Sequence, residues 1–218
     1  MDRWLLGQGA IVGRTVTYQS EIEWHERLNQ LAFAFGLATR GLAIASKEYS
    51  TTINSAPTTN KSETYLAIRK PGDVPVTVYA RWHSCELLDL MIPDGPIARE
   101  LGRQWAVTVD SLWDASYRHR IAVEAGLPSD KHCGPLIMAD LRRIRNDIVH
   151  HRGIATERNS GKCELLGHWI SVAEEIVITE FMVVEFMELW GLTNFGPIFD
   201  GAASGINTVL KVNPQIPN

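Results

Sequence analysis

Apolar residues near the start of the chain recur with the spacing of an amphipathic helix. The members of this stripe, at intervals of three and four, are Trp24, Leu28, Leu31, Phe35, Ala38 and Leu42. Such spacing places them on one helix face. Ser20 and Glu23 have the pattern of a capping box, in which each side chain binds a backbone N–H of the first turn. We therefore predict a first helix over about 20–47.

The segment over about 48–77 breaks this helical pattern. Its first part is rich in threonine, serine, asparagine and proline, which is typical of a connection. Two short runs, 64–69 and 76–79, flank Pro71-Gly72-Asp73 and predict a small hairpin. The residues from Val76 onward equally suit the start of a second helix, predicted over about 78–91. The insertion is either a loop that controls substrate access or a solvent-exposed loop without a functional role.

Three further helices are indicated after Pro93. Pro96 suits the first position of a short helix that ends near Leu101, and a longer helix follows as far as Gly126. Gly134-Pro135 precedes the next helix, whose apolar positions are Leu141, Ile144 and Ile148, with His151 on the same face. Gly153 is a natural stop for that helix.

The last helix is predicted from a second capping box, Ser171 and Glu174, to about Trp190. Its residues are apolar almost all the way round. A helix of this kind is either central to the domain or packed against both its own core and a partner chain. From about 191 the chain is rich in glycine and proline, which predicts a loop-like tail with a short strand at 208–212.

These patterns predict one all-α domain over 1–218, an antiparallel helical bundle of about four or five main helices. The N-terminus has no apolar run typical of a signal peptide, and no stretch approaches the roughly 18 apolar residues of a membrane span. Cys85, Cys133 and Cys163 are odd in number and irregularly spaced, as expected in a reducing compartment. We therefore expect a soluble cytoplasmic protein without membrane contact. No CxxC or HExxH pattern is present, so no metal or other cofactor is expected.

Charge is distributed unevenly along the chain. The net charge of −4 argues against general binding to nucleic acid through a wholly basic surface. A local basic segment nevertheless lies between 142 and 162, where two acidic residues accompany Arg142, Arg143, Arg145, Arg152, Arg158 and Lys162. A second pair of cations, Arg118 and Arg120, is either another phosphate-binding spot or a solvated helix face.

The basic segment contains the chain's most specific motif, Arg145-Asn146-Asp147-Ile148-Val149-His150. Histidine can act as acid or base near neutral pH, and the arginine fork suits developing phosphoryl charge. In a regular helix His150 lies about 140° round from Arg145, too far to share one phosphate. Either the helix unwinds before Gly153, or the same helix of a second chain completes the site.

This motif and its late helix resemble those of the HEPN superfamily, many members of which are metal-independent ribonucleases. The resemblance implies that Arg145, Asn146 and His150 are catalytic, and that RNA is cleaved to a 2′,3′-cyclic phosphate and a 5′-hydroxyl. It also implies a homodimer with facing motif helices, which we expect to include the apolar final helix. The implied setting is a bacterial toxin or phage-defence system, with an antitoxin or regulatory protein as a further partner.

Several alternatives remain open at this point. His151 would give an Arg-x5-His spacing, although we prefer His150; we assign His151, Arg152 and Arg142 to substrate binding. Arg152 occupies the position of a tyrosine that is modified in one branch of the family, so such regulation is not expected. Asp147 could simply pair with Arg143 on the surface. The domain could also be a non-catalytic module that binds RNA, nucleotide or protein, or an interaction protein that uses its final helix.

Overall fold

The structure is a computed structural model that describes residues 18–55, 63–68 and 77–191, with backbone alone for 63–68 and 77–82. Part of the predicted insertion, including the turn at Pro71, lies outside the described residues. So do the N-terminal 17 residues and the predicted strand at 208–212.

The first helix, α1, is Gln19–Ser55 and buries Trp24, Leu28 and Phe35, which confirms the predicted stripe. It continues past the predicted end near 47. The last turns of α1 contain serine and threonine residues, and the side-chain hydroxyls of these residues donate to helix carbonyls four residues earlier. These bonds are Thr51 to Lys47, Thr52 to Glu48 and Ser55 to Thr51.

The capping box predicted at the start of α1 is wrong. Ser20 lies inside the helix and donates its hydroxyl to Glu124 at 2.5 Å, while its backbone N–H donates to the same carboxylate at 3.0 Å. Glu23 instead accepts from Arg120. A carboxylate from another element thus caps the helix start, where anions are favoured.

The predicted hairpin is present. Strand β1, Glu63–Ile68, pairs antiparallel with strand β2, Thr77–His83, in a register that runs from Glu63 opposite His83 to Ile68 opposite Thr77. The second helix, α2, is Ser84–Met91, so its predicted start at 78 is wrong. The β-branched residues Thr77 and Val78 favour the strand.

One long helical rod replaces the two helices predicted after Pro96. Helix α3, Pro96–Leu112, passes through a π-helical turn at Trp113–Tyr117 into α4, Arg118–Glu124. Pro96 lies in the first turn as predicted, but the break near Leu101 is absent. The next residue, Gly102, lies against the backbone of Ile178, where an added Cβ would be 2.2 Å from the carbonyl oxygen.

Helix α5, Leu136–His150, carries the motif and ends close to the predicted stop. The N–H groups of His151 and Gly153 both donate to the Asp147 carbonyl, and Gly153 has a φ of +76°. Leu141 and Ile144 are fully buried. The placement of His151 on this buried face is wrong, because His151 follows the last helical turn and is exposed.

The final helix, α6, is Glu180–Leu189, much shorter than predicted. Residues 171–179 are not helical, because hydrogen bonds join Ala155 to Ala173 and Glu174, and Gly153 to Ile176. The second capping box is therefore wrong. Thr179 is the N-cap and accepts from the N–H of Met182.

Helix α1, the π-helical turn after α3 and the end of α6 share an aromatic core. The ring centroids of Trp24 and Trp113 are 5.4 Å apart, and Trp190 lies within 6.0 Å of both. On the other side, α3 packs against α5. The all-α helical bundle is therefore confirmed, with a small hairpin as its β component. In the described part of the chain, no helix has both the length and the apolar character to cross a bilayer.

Candidate functional site

The motif lies on the C-terminal half of α5, whose opposite face is buried. Arg142, Arg145 and Asn146 are partly exposed, and Val149 and His150 are exposed. The helix is regular through His150. Arg145 and His150 are therefore separated by about 140° around the axis and about 7.5 Å along it. The helix ends only after His150, so no unwinding between Arg145 and His150 brings the two residues together.

Arg145 lies at the edge of this exposed face, against helix α3. Its Nε is 3.7 Å from Oδ2 of Asp110, and its Nη1 donates to Oδ1 of Asn146 at 3.1 Å. Nε is buried and has no hydrogen-bond partner in the structure. The arginine side chain is 32% exposed, so part of the guanidinium remains open to solvent.

Asp110 is the acidic partner of two arginines and is 3% exposed. Nε of Arg142 lies 3.5 Å from its Oδ1, which has no hydrogen-bond partner in the structure. Burial raises the pKa of the Asp110 carboxyl, and the charges of Arg142 and Arg145 act in the opposite direction. The motif sequence gave no indication of this carboxylate, which comes from another helix.

Arg142 connects this pair to a second acidic residue, Asp114, in the π-helical turn. Nη2 of Arg142 donates to Asp114 Oδ1, which also accepts from Arg118 at 2.9 Å. The hydrogen bond from Arg142 lowers the pKa of Asp114, burial opposes it, and the Arg118 bond lowers it further. Arg118 is thus paired, as is Arg120 with Glu23. The second basic spot is therefore ion-paired in this structure.

The residues at the end of α5 are more open. His151 is 46% exposed, with Nε2 4.0 Å from Oδ1 of Asp147. Arg152 is exposed and has a left-handed φ of +56°. Together with His150 they place two imidazoles and one guanidinium at the end of the helix. The structure thus gathers His150, His151 and Arg152 at one end, with Arg142, Arg145 and Asn146 one to two turns earlier.

Asp147 is fully buried, so its predicted surface pairing with Arg143 is wrong. Its carboxylate accepts five hydrogen bonds from the segment after the motif helix. The donors are the N–H and hydroxyl of Thr156, the amide of Asn159, and the N–H and hydroxyl of Ser160. Burial alone would raise the pKa of Asp147, but these bonds outweigh it and lower the pKa to about 2.

Asp140, two turns earlier, is a second buried carboxylate that holds the same segment. Its Oδ2 accepts from the backbone N–H groups of Glu164, Leu165 and Leu166, and its Oδ1 accepts from Arg143 at 2.6 Å. Arg143 also donates to the Lys162 carbonyl at 2.8 Å. Asp140 and Asp147 therefore fix the segment that follows the motif. Their seven-residue spacing beside Leu141 and Ile144 was a signal in the sequence, because it places two acids on the apolar face.

The arrangement offers guanidinium groups for an anion and exposed imidazoles for proton transfer. Across the described residues, no three histidine, cysteine or carboxylate side chains come together as metal ligands. No protein-family model matches the chain, and no curated protein or solved structure is similar to it.

Proposed function

We propose that this protein is a HEPN-like, metal-independent endoribonuclease that acts as a homodimer. The observation that carries the proposal is the exposure of Arg145, Asn146 and His150 on the solvent-facing side of α5, within about one and a half turns of its end. Arg142 extends this face by one turn. The residue types match the needs of phosphodiester cleavage, in which charge develops on phosphorus-bound oxygens and two protons move.

In the proposed reaction the ribose 2′-oxygen attacks the adjacent phosphorus and loses its proton to a general base. The bond to the 5′-oxygen breaks, and a general acid protonates this leaving group. The products are a 2′,3′-cyclic phosphate and a 5′-hydroxyl. Arg145 stabilises the phosphorane oxygens, and His150 transfers one of the protons. Asn146 accepts a hydrogen bond from Arg145 and so fixes the arginine's geometry.

A dimer supplies what one chain lacks. Arg145 and His150 of one α5 point in different directions, whereas two α5 helices facing each other across a twofold axis bring one chain's arginine near the other's histidine. The exposed face also offers an apolar contact, because Val149 is 48% exposed. Asp110 and Asp114 offset part of the charge of Arg142 and Arg145, which reduces the repulsion between two such faces.

The final helix is a second candidate contact in this dimer. Phe181 at its start is 77% exposed and Leu189 near its end is 46% exposed, while Val183, Phe186 and Met187 are buried. An exposed phenylalanine of this kind suits a protein interface. A bacterial toxin or phage-defence role in the cytoplasm, with an antitoxin or regulatory partner, belongs to the same proposal and rests on the motif's resemblance.

The deciding experiment incubates the purified protein with total RNA and with tRNA in excess chelator. An Arg145→Ala/His150→Ala double variant is the matched control, since both positions are at least partly exposed. We expect cleavage by the unmodified protein alone, with cyclic phosphates at the 3′ ends and hydroxyls at the 5′ ends. Cleavage by both proteins, or cleavage that the chelator abolishes, would contradict the proposal.

A second candidate, a non-catalytic module that binds RNA, nucleotide or protein, is favoured by one observation. In the single chain Arg145 lies beside Asp110 and about 7.5 Å along the helix from His150, so a monomer does not bring the arginine and the histidine together at one phosphate. Such a module would bind RNA without cutting it. Arg145→Ala would then weaken binding, whereas His150→Ala would change it little.

A further inference from the structure

The buried carboxylate of Asp110 occupies the junction between α3 and the motif helix. We propose that Asp110 is a positioning residue that orients the Arg145 guanidinium toward the RNA phosphate. This inference rests on the nuclease function proposed above and adds to it a residue that lies outside the motif.

Two contacts fix the plane of the Arg145 guanidinium. Oδ2 of Asp110 faces Nε at 3.7 Å, and Oδ1 of Asn146 accepts from Nη1 at 3.1 Å. A guanidinium has five N–H donors in a rigid fork, so contacts at two nitrogens determine where the third points. Within the described residues Nη2 makes no hydrogen bond, and its two donors are left for an anion.

The length of the contact to Asp110 matters as much as its presence. At 3.7 Å the pair attracts without forming a hydrogen bond, and both Arg145 Nε and Asp110 Oδ1 lack hydrogen-bond partners in the structure. A bidentate pair at shorter range would be the more stabilising arrangement for a purely structural role. The looser contact orients the arginine while leaving its charge available to the phosphorane.

The immediate surroundings make Asp110 specific to this role. Arg142 has a second acidic partner in Asp114, which is half exposed, but Asp110 is the one carboxylate near Arg145 among the described residues. Asp114→Asn is therefore a matched control. It removes a carboxylate one helical turn away, on the same rod, without touching the contact to Arg145.

Four variants test the proposal: Asp110→Asn, Asp114→Asn, Arg145→Ala and the Asp110→Asn/Arg145→Ala double variant. We expect Asp110→Asn to lower the turnover number by about tenfold or more, because a misdirected guanidinium loses its contact to the transition state. Its Kd for a 2′-O-methyl RNA, which cannot be cleaved, should stay the same or tighten, since one negative charge beside two arginines is gone. Asp114→Asn should change turnover by less than about threefold. In the Arg145→Ala background, Asp110→Asn should cause no further loss of turnover.

A structural role for Asp110 predicts a different result. In that case Asp110→Asn would weaken RNA binding and turnover together and would remain harmful in the Arg145→Ala background. Either outcome would overturn the proposal. If Asp110→Asn does not fold, Asp110→Ser is the second variant, because it leaves room for water beside the guanidinium.

A measurement on the Arg145 side chain tests the positioning role of Asp110 separately from the proposed nuclease activity. The side-chain Nε–H resonance of Arg145, assigned by its loss in Arg145→Lys, should exchange slowly in the unmodified protein and in Asp114→Asn. In Asp110→Asn it should exchange about tenfold faster or disappear. If this change is seen but no RNA is cleaved, the nuclease proposal fails and the positioning role stands. An unchanged resonance in Asp110→Asn would refute positioning even in an active nuclease.

Discussion

Asp147 binds Ser160 through two donors at once: the Ser160 hydroxyl lies 2.6 Å and its backbone N–H 3.1 Å from the same carboxylate oxygen. This contact joins the middle of the motif to the segment that follows it. Asp147, which the sequence places on the surface, is therefore a buried residue that holds the following segment against α5. This contact also fixes the end of the helix on which the exposed motif residues lie.

We expect Asp147→Asn to lower the free energy of unfolding by about 3 kcal/mol. The amide retains one acceptor oxygen and turns an N–H₂ group toward groups that are themselves donors. Urea unfolding monitored by circular dichroism measures the change. Asp114→Asn, which removes a half-exposed carboxylate with two arginine partners, should cost at most about 1 kcal/mol. Equal losses in the two variants would contradict the anchoring role.

The same carboxylate should make stability depend on acid. Its pKa is about 2 in the folded protein, below the value of roughly 3.9 for an unfolded aspartate. The unfolded state therefore binds the proton first, so stability is present above about pH 4 and is lost as the pH falls toward about 2. The contribution is roughly 2 kcal/mol, and it should be missing from the pH dependence of Asp147→Asn. An unchanged slope in that variant would show that other groups control acid unfolding.

Two glycines offer a matched test of the packing around α3. Gly102→Ala should destabilise the protein by about 2 kcal/mol or more, because the added Cβ would be 2.2 Å from the Ile178 carbonyl oxygen. Gly41→Ala, at an exposed position of α1 with nothing within 4 Å of the added Cβ, should stabilise it by about 0.5–1 kcal/mol. Thermal unfolding compares both with the unmodified protein. A neutral Gly102→Ala would mean that α3 and the Ile178 segment can separate at little cost.

The helices that could be predicted were those with a clear apolar period. Trp24 and Phe35 of α1, and Leu141 and Ile144 of α5, are buried as their spacing requires. The errors arose where local signals competed with distant partners. Ser20 has the right neighbours for a capping box, yet Glu124, more than a hundred positions away, takes its hydroxyl.

In the candidate site, too, the features set by the helix period could be predicted, and those set by distant residues could not. The separation of about 140° between Arg145 and His150 followed from the helix period. Asp110 could not be assigned to Arg145, because their proximity depends on how α3 packs against α5. Asp147 was placed on the surface because a helical i,i−4 ion pair with Arg143 was the nearest option in sequence. Its actual donors come from a loop that has no periodic pattern.

The two adjacent histidines should differ in their contribution to RNA cleavage. His150 lies in the last turn of α5, whereas His151 follows the helix end and has its ring near the Asp147 carboxylate. We expect His150→Ala to lower the turnover number by about a hundredfold or more, as for loss of a general acid or base. His151→Ala should mainly raise KM, and steady-state kinetics on a short RNA separates the two effects. The reverse pattern would move the catalytic role to His151.

Mixed dimers test whether Arg145 and His150 act across the twofold axis. Arg145→Ala and His150→Ala should each retain about a hundredth or less of the normal turnover alone, and co-expression with two different tags yields purified mixed dimers. In such a dimer one chain retains His150 and the other retains Arg145, so one of the two equivalent cross-chain pairs is intact. We expect this mixed dimer to recover about half of the normal dimer's activity. A dimer of Arg145→Ala with the Arg145→Ala/His150→Ala chain is the control and should stay inactive, because it contains no Arg145. If the mixed dimer were also inactive while the unmodified dimer cleaves RNA, the two residues would have to meet within one chain, and α5 would have to bend during the reaction.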